Sequence, residues 1–225
     1  MANIKVMLSA AFKEAYLELS PQFERATGHR IENLWVPSVQ MMSRLQGGEA
    51  VDLVILSAAA LEELRKAGIV ADRTDLARSG IGIAVKSGAP KPDIGSGEAV
   101  KRAVLAAKGI AYSTGPSGFY LAGLFQRMGI AERIKPRVTQ VQGVPAGSVV
   151  ARGEAEIAFQ QISELLPVPG IELVGPLPPD IQEITVFSAG VHVAAKAPDA
   201  ARALVKFLTT PAAGPVIRKK GMEPA

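Results

Sequence analysis

The chain of 225 residues contains no cysteine and only two histidines, His29 and His192. Disulfides, thiolate-held zinc, iron–sulfur clusters and thiol nucleophiles are thereby excluded, and little is left for a histidine-based metal site. Aromatic residues are scarce, at 5%, with a single tryptophan. A basic surface interleaved with aromatics, as nucleic-acid binding needs, is therefore not expected. Charge of either sign is modest: the net formal charge is +4, and basic residues cluster only at Arg218-Lys219-Lys220, which reads as a solvated helix end. No run approaches the ~18–20 apolar residues of a membrane span, so membrane insertion is not expected. No basic and apolar leader is visible, because Asn3-Ile4-Lys5-Val6-Met7-Leu8 already reads as a strand. Either the protein stays in the cytoplasm or a leader has been removed.

What is present is ordinary for a folded protein: 48% apolar and 20% charged residues, which exclude global disorder. Short apolar runs alternate with helical periodicity, predicting an α/β chain with mostly parallel strands. Strand Ile4–Leu8 leads to a helix over Ala11–Ala26, stopped by Thr27-Gly28. Strand Arg30–Val36 leads to a helix from Ser38 to Gly47-Gly48, and strand Val51–Leu56 to helix Ala58–Ala67. Gly80–Val85 is a strand of small and β-branched residues, and a second series follows: helix Glu98–Ala107, strand Gly109–Tyr112, helix Gly118–Met128, strand Val138–Val141, a short helix through Val149–Arg152, and strand Glu156–Gln160. The Pro-rich stretch from Val174 reads as a connector, before strand Ile184–Ala189, helix Asp199–Leu208 and a last helix near Ala212–Lys220. Two series with a return strand predict two lobes, residues 1–82 plus 190–225 and residues 83–189. A ligand cleft between them is expected, since α/β sheets bind at strand carboxyl ends and at domain interfaces.

The informative places are strand-to-helix junctions, which aim backbone N–H groups and a positive dipole end at a ligand. Four carry small polar residues, at Ser9, at Ser38-Val39, at Ser57 and at Ser113-Thr114-Gly115-Pro116-Ser117-Gly118. Serine is also a preferred N-cap, so each junction alone has a purely local explanation. Gly115-Pro116-Ser117-Gly118 lacks the Lys-Ser/Thr pair of a phosphate loop, and Gly80-Ile-Gly-Ile-Ala-Val lies inside a strand without the third glycine of a dinucleotide fingerprint. No cofactor is therefore expected. A Gly-x-Ser-x-Gly elbow is absent. Lys13, one turn into the first helix, and His29 are the candidates for a base, and each also reads as an ordinary exposed residue. Gln160-Gln161 ends an apolar strand, facing either ligand or surface.

The order of Ser38 opening a helix, Gly47-Gly-Glu-Ala-Val-Asp-Leu-Val-Ile-Leu-Ser57, Gly115-Pro-Ser-Gly-Phe-Tyr120 and Arg152-Gly-Glu-Ala-Glu-Ile-Ala resembles the type II periplasmic solute-binding proteins, in particular the molybdate-binding branch of ABC importers. The resemblance runs over nearly the whole chain. It implies a two-lobe fold that captures a small anion between hinged lobes, a periplasmic location if a leader is removed, and an ABC permease as partner. In that family two serines, backbone N–H groups and a tyrosine hold the oxyanion. Ser38 matches the second serine, Ser117-Gly118 and Gly143-Val144 match backbone donor segments, while Ala11 takes the first serine's place, with Ser9 nearby, and Gln161 the tyrosine's. Fewer hydroxyls and a glutamine imply a ligand that is either an oxyanion such as molybdate or a small organic acid. The resemblance also extends to isomerases of unsaturated tricarboxylates such as aconitate, and a cytoplasmic ligand sensor is a further alternative.

Overall fold

The computed structural model describes residues 1–225. In chain order the first elements are β1 (Asn3–Leu8), α1 (Lys13–Thr27), β2 (Arg30–Trp35), α2 (Ser38–Gln46), β3 (Leu53–Ser57), α3 (Ala58–Lys66) and β4 (Thr74–Lys86). There follow α4 (Gly97–Ala106), β5 (Ile110–Ser113), α5 (Pro116–Arg127), α6 (Ala131–Ile134), β6 (Val138–Val141), α7 (Ala146–Ala151), β7 (Ile157–Gln161), α8 (Ile162–Leu165) and β8 (Ile171–Pro176). The chain ends with β9 (Ile184–Val191), α9 (Pro198–Leu208), α10 (Gly214–Lys219) and β10 (Glu223–Pro224). Two compact units result: Met1–Ser79 with Thr185–Ala225, and Gly80–Ile184. The chain passes between them inside β4 and inside β9.

In the first unit β1 lies between β2 and β3, all parallel, and β9 adds antiparallel to β3. Period-two alternation decides both faces of this sheet. Ile4, Val6 and Leu8 of β1, Leu53 and Ile55 of β3, and Phe187, Ala189 and Val191 of β9 join one core with α1, α9 and α10. Met7, Val54 and Leu56 point the other way, into a core with Met41, Leu45, Leu61 and Leu64 of α2 and α3. Burial on both faces is why these strands read as continuous apolar runs. Asp52 interrupts one of them at 4% exposure. Its Oδ2 accepts from the Lys5 N–H at 2.8 Å, and its Oδ1 accepts from the N–H groups of Lys196 and Ala197 at 2.7 and 2.8 Å. One carboxylate thus joins β1, β3 and the segment before α9.

In the second unit β5 is parallel to β6 and β7, and β4 pairs antiparallel with β7 and β8. Ile81, Ile83, Val85, Ile110, Ile157 and Phe159 pack beneath α4, α5 and α6. The opposite face presents Ala84, Ala111 and Ala158, small enough for α7 to lie close, with Leu165 of α8 beside them.

Several elements differ from the sequence expectations. β4 begins at Thr74 rather than Gly80, and the short helix spans Ala146–Ala151 rather than Val149–Arg152. The start of the Pro-rich connector is the end of β8, whose Pro176 falls at the strand's last position, where a missing N–H is tolerated. No helix is long and apolar enough to cross a membrane.

Candidate functional site

The parallel strands of the first unit end side by side, with Leu8 in register with both Trp35 and Ile55. The Val36 N–H donates to the Leu8 carbonyl and the Ser9 N–H to the Ile55 carbonyl, each at 3.2 Å, so Ser9, Ser38 and Ser57 leave three neighbouring strands. Ser9 is 4% exposed, and its Oγ is buried with no hydrogen-bond partner in the protein. A buried orphan hydroxyl costs about 1–3 kcal/mol, a cost that a ligand oxygen would remove. Ser38 opens α2 behind Pro37, and the first N–H with a helix acceptor is that of Met41, bonded to the Pro37 carbonyl at 2.9 Å. The N–H groups of Ser38, Val39 and Gln40 therefore have no acceptor within the helix. Ser57 precedes α3 in extended conformation, and its hydroxyl does not cap the helix. Neither α2 nor α3 has an acidic residue in its first turn, so their positive ends stay uncompensated. Ala11 is different: its methyl lies in the core with Ile4 and Leu8.

Lys13 stands at the same end of the sheet, its Nζ 5.5 Å from the centre of the Trp35 ring, which closes β2. Trp35 in turn meets Tyr16 edge-on at 6.1 Å. The Tyr16 hydroxyl is buried without a partner, and burial, with Glu24 nearby, holds its pKa above the ordinary tyrosine value. His29 is elsewhere. It precedes β2, stacks on Phe23, and its Nδ1 accepts from the Ala2 N–H at 3.1 Å. A six-residue strand separates it from the serines by roughly 20 Å, so His29 cannot serve them as a base.

The second unit repeats the arrangement at the carboxyl ends of β5, β6 and β7. The Thr114 N–H donates to the Val141 carbonyl at 3.0 Å, and the chain then enters α5 through Gly115 and Pro116. Phe119 makes the first helical bond, to the Gly115 carbonyl, so the N–H groups of Ser117 and Gly118 have no helix acceptor. The Ser117 side chain is turned inward, 1% exposed, with its Oγ 3.4 Å from that of Ser113. Ser117 thus offers its backbone rather than its hydroxyl. Gly118 is required by packing, because a Cβ there would sit 1.6 Å from the Ser113 carbonyl oxygen. Around these donors stand exposed apolar side chains, Phe119 at 69% and Val144 at 51%, as Val39 does at 48% in the first unit.

Gln161 ends β7 fully buried. Next to it, the Gln160 Oε1 accepts from the Ala146 N–H at 2.7 Å, while its Nε2 donates to Glu164 Oε1 at 2.8 Å. Burial pushes the Glu164 carboxyl up to about 7, against the smaller, opposite effect of the Gln160 hydrogen bond. Sequence reasoning passed over Glu164, although a carboxylate one turn beyond a buried strand end was a visible signal.

Comparison with known proteins places the chain in a family. The family model of bacterial extracellular solute-binding proteins matches residues 4–223. An aconitate isomerase from Pseudomonas sp is 37% identical, over 100% of this chain and 88% of its own length. The molybdate-binding protein ModA of Azotobacter vinelandii is 25% identical over 98% of this chain and 89% of its own. The structure of the Azotobacter vinelandii periplasmic molybdate-binding protein superposes with a TM-score of 0.81, at 19% identity, covering 97% of this chain and 98% of that one. That likeness establishes the periplasmic-binding-protein fold. With a family match over almost its entire length, the chain belongs to the bacterial extracellular solute-binding proteins.

Proposed function

We propose that the chain binds a small organic polycarboxylate, of the class aconitate represents, rather than a tetrahedral inorganic oxyanion. The observation that carries this reading is the exposed apolar group beside the anion donors: Val39 in the first unit, Phe119 and Val144 in the second. A carbon skeleton has apolar surface for them to cover, at about 25 cal/mol per Å² removed from water, whereas molybdate has none. The donors are neutral hydroxyls and N–H groups, which hold carboxylates through charge-assisted hydrogen bonds. Each carboxylate needs its own donors, and each unit carries a set at its own strand ends. Ser9, Ser38 and Ser57 with the α2 and α3 N–H groups form one. The N–H groups of Ser117, Gly118 and Val144, with Gln161, form the other. Ala11 in place of a serine removes one hydroxyl that a tetrahedral oxyanion would use. Loaded protein would deliver its ligand to an ABC permease.

Thermal-shift titration against tricarboxylates, dicarboxylates, molybdate, tungstate, sulfate and phosphate tests the reading, because a ligand stabilises by RT ln(1 + [L]/Kd). A tricarboxylate should stabilise most; stabilisation by molybdate or tungstate alone would overturn it. Ser38→Ala should weaken tricarboxylate binding about 10- to 100-fold, the loss of one hydrogen bond to a charged group. Its unliganded melting temperature should hardly move, since this hydroxyl caps nothing. Phe119→Ala should cost about 10-fold in tricarboxylate affinity through lost apolar cover. Affinity for inorganic anions should stay unchanged, and an equal loss for both would refute the apolar role.

A second reading is turnover. The 37% identical relative is named as an aconitate isomerase. Donors that hold a carboxylate also stabilise the enolate-like charge formed when a neighbouring carbon loses a proton. Such chemistry needs a base.

A further inference from the structure

We propose that Glu164 is the proton-transfer residue of an isomerisation carried out at the second unit's strand ends, with Gln160 as the residue that positions it. This rests on the turnover reading above.

The elements around Glu164 carry no charge: β7 is Ile-Ala-Phe-Gln-Gln, α7 is Ala-Gly-Ser-Val-Val-Ala, and α8 contributes only Glu164 itself. The neighbouring core is Val141, Ala146, Val149, Val150 and Leu165, backed by Ile171 and Leu173 of β8. The remaining charged group of β8, Glu172, is committed to the Gly88 N–H and to Lys91. No cation therefore compensates a carboxylate here, and burial raises the proton affinity of Glu164. A purely structural partner for Gln160 would be less costly as a glutamine, which presents the same acceptor without a desolvated charge. Retaining an acid where an amide would fit is the signature of a group that exchanges a proton.

Glu164 is three residues beyond Gln161, at the carboxyl end of β7, and remains partly exposed. Its Oε1 is fixed by Gln160, which is itself anchored on the Ala146 N–H. That leaves Oε2 to carry the proton. Among the helices that start at β5, β6 and β7, neither α5 nor α7 has an acid in its first turn. Glu164 is the one acid in the first turns of the helices that follow these strands.

The step balances without any oxidant or co-reactant. The Glu164 carboxylate takes a proton from the methylene carbon of an unsaturated tricarboxylate, breaking C–H and forming O–H. The electron pair spreads over the allylic carbons into the adjacent carboxylate, held by the N–H donors. Return of the proton from Oε2 to the former vinylic carbon forms the new C–H bond and shifts the double bond.

The test follows cis- and trans-aconitate by proton NMR with the full chain and with Glu164→Gln, which keeps the acceptor for Gln160. The variant should bind aconitate within twofold of the parent in thermal shift yet isomerise it at least 100-fold more slowly. The parent's rate should rise with pH through about 7 and level off above, because the ionised form is the base. That profile needs no variant, and a flat profile between pH 5.5 and 8 would sink the proposal. Turnover by Glu164→Gln within threefold of the parent removes Glu164 from the chemistry while leaving isomerisation standing. A parent that binds aconitate without interconverting it overturns the turnover reading and this proposal together, leaving only binding.

Discussion

Gly118→Ala is expected to weaken tricarboxylate binding about 100-fold and to destabilise the second unit by about 3 kcal/mol or more. The added Cβ would lie 1.6 Å from the Ser113 carbonyl oxygen and 2.7 Å from its carbon, both main-chain atoms that no rotamer change can move. Relief requires the first turn of α5 to lift away from the end of β5 by roughly 1.5 Å, the distance needed to restore an ordinary non-bonded contact. The N–H groups of Ser117 and Gly118 ride on that turn, so stability and ligand geometry are lost together. Gly115→Ala is the internal control. Its Cβ would meet only the Ser113 Oγ, at 3.5 Å, and its φ of −83° suits any residue. Thermal denaturation and ligand titration of the two variants should separate sharply. A Gly118→Ala protein that melts and binds like the parent would show that α5 is not seated on β5 as described.

That glycine illustrates where sequence reading stops. The motif Gly115-Pro-Ser-Gly118 was visible as a strand-to-helix junction because turn residues follow an apolar run. What the second glycine does depends on which carbonyl lies above it, and that is a tertiary fact. Strands β3, β5 and β7 were legible because doubly buried strands are nearly unbroken apolar runs, while β2 and β6, half-exposed, were legible from alternation between helical periods. β8 was not, since Gly175 and Pro176 dominate its pattern and edge strands tolerate both. Likewise α8 is a single turn, too short for periodicity to register, so Glu164 was passed over. The serines could be placed at helix starts from spacing alone. Which hydroxyls are free could not, because Ser117 turns inward to Ser113 while Ser9 finds no partner at all.

Position also separates the two candidate bases named from sequence. His29 and Lys13 flank the same helix, yet α1 carries them to opposite ends of β2. Residue type suggested both; strand polarity retains only Lys13 near the serines, where its ammonium rests on the Trp35 ring. Positive charge at this end of the first unit's sheet thus comes from the helix ends and Lys13. This suits an anion whose charge is spread over several oxygens, because neutral donors bind each oxygen without holding it too tightly to release.

The other large effect is expected at Asp52, in the run Val-Asp-Leu-Val-Ile-Leu, where an acid among buried residues signals a structural tie. Asp52→Ala should destabilise the first unit by about 3–5 kcal/mol, because three backbone N–H groups lose a charged acceptor within the fold. At this chain length that corresponds to a fall in melting temperature of roughly 10 °C. Asp52→Asn should lose about half as much. Its remaining oxygen can still accept from Lys196 and Ala197, but its amide nitrogen would face the Lys5 N–H, donor against donor. The neighbouring His192 adds a second readout. Burial lowers its pKa and Asp52 partly opposes that shift, so removing the carboxylate should lower the pKa further. Trp35 is the single tryptophan and belongs to the first unit, so its fluorescence in a urea titration reports the unfolding of that unit. An Asp52→Ala midpoint within experimental error of the parent would mean that β1, β3 and the α9 approach are held together without this carboxylate.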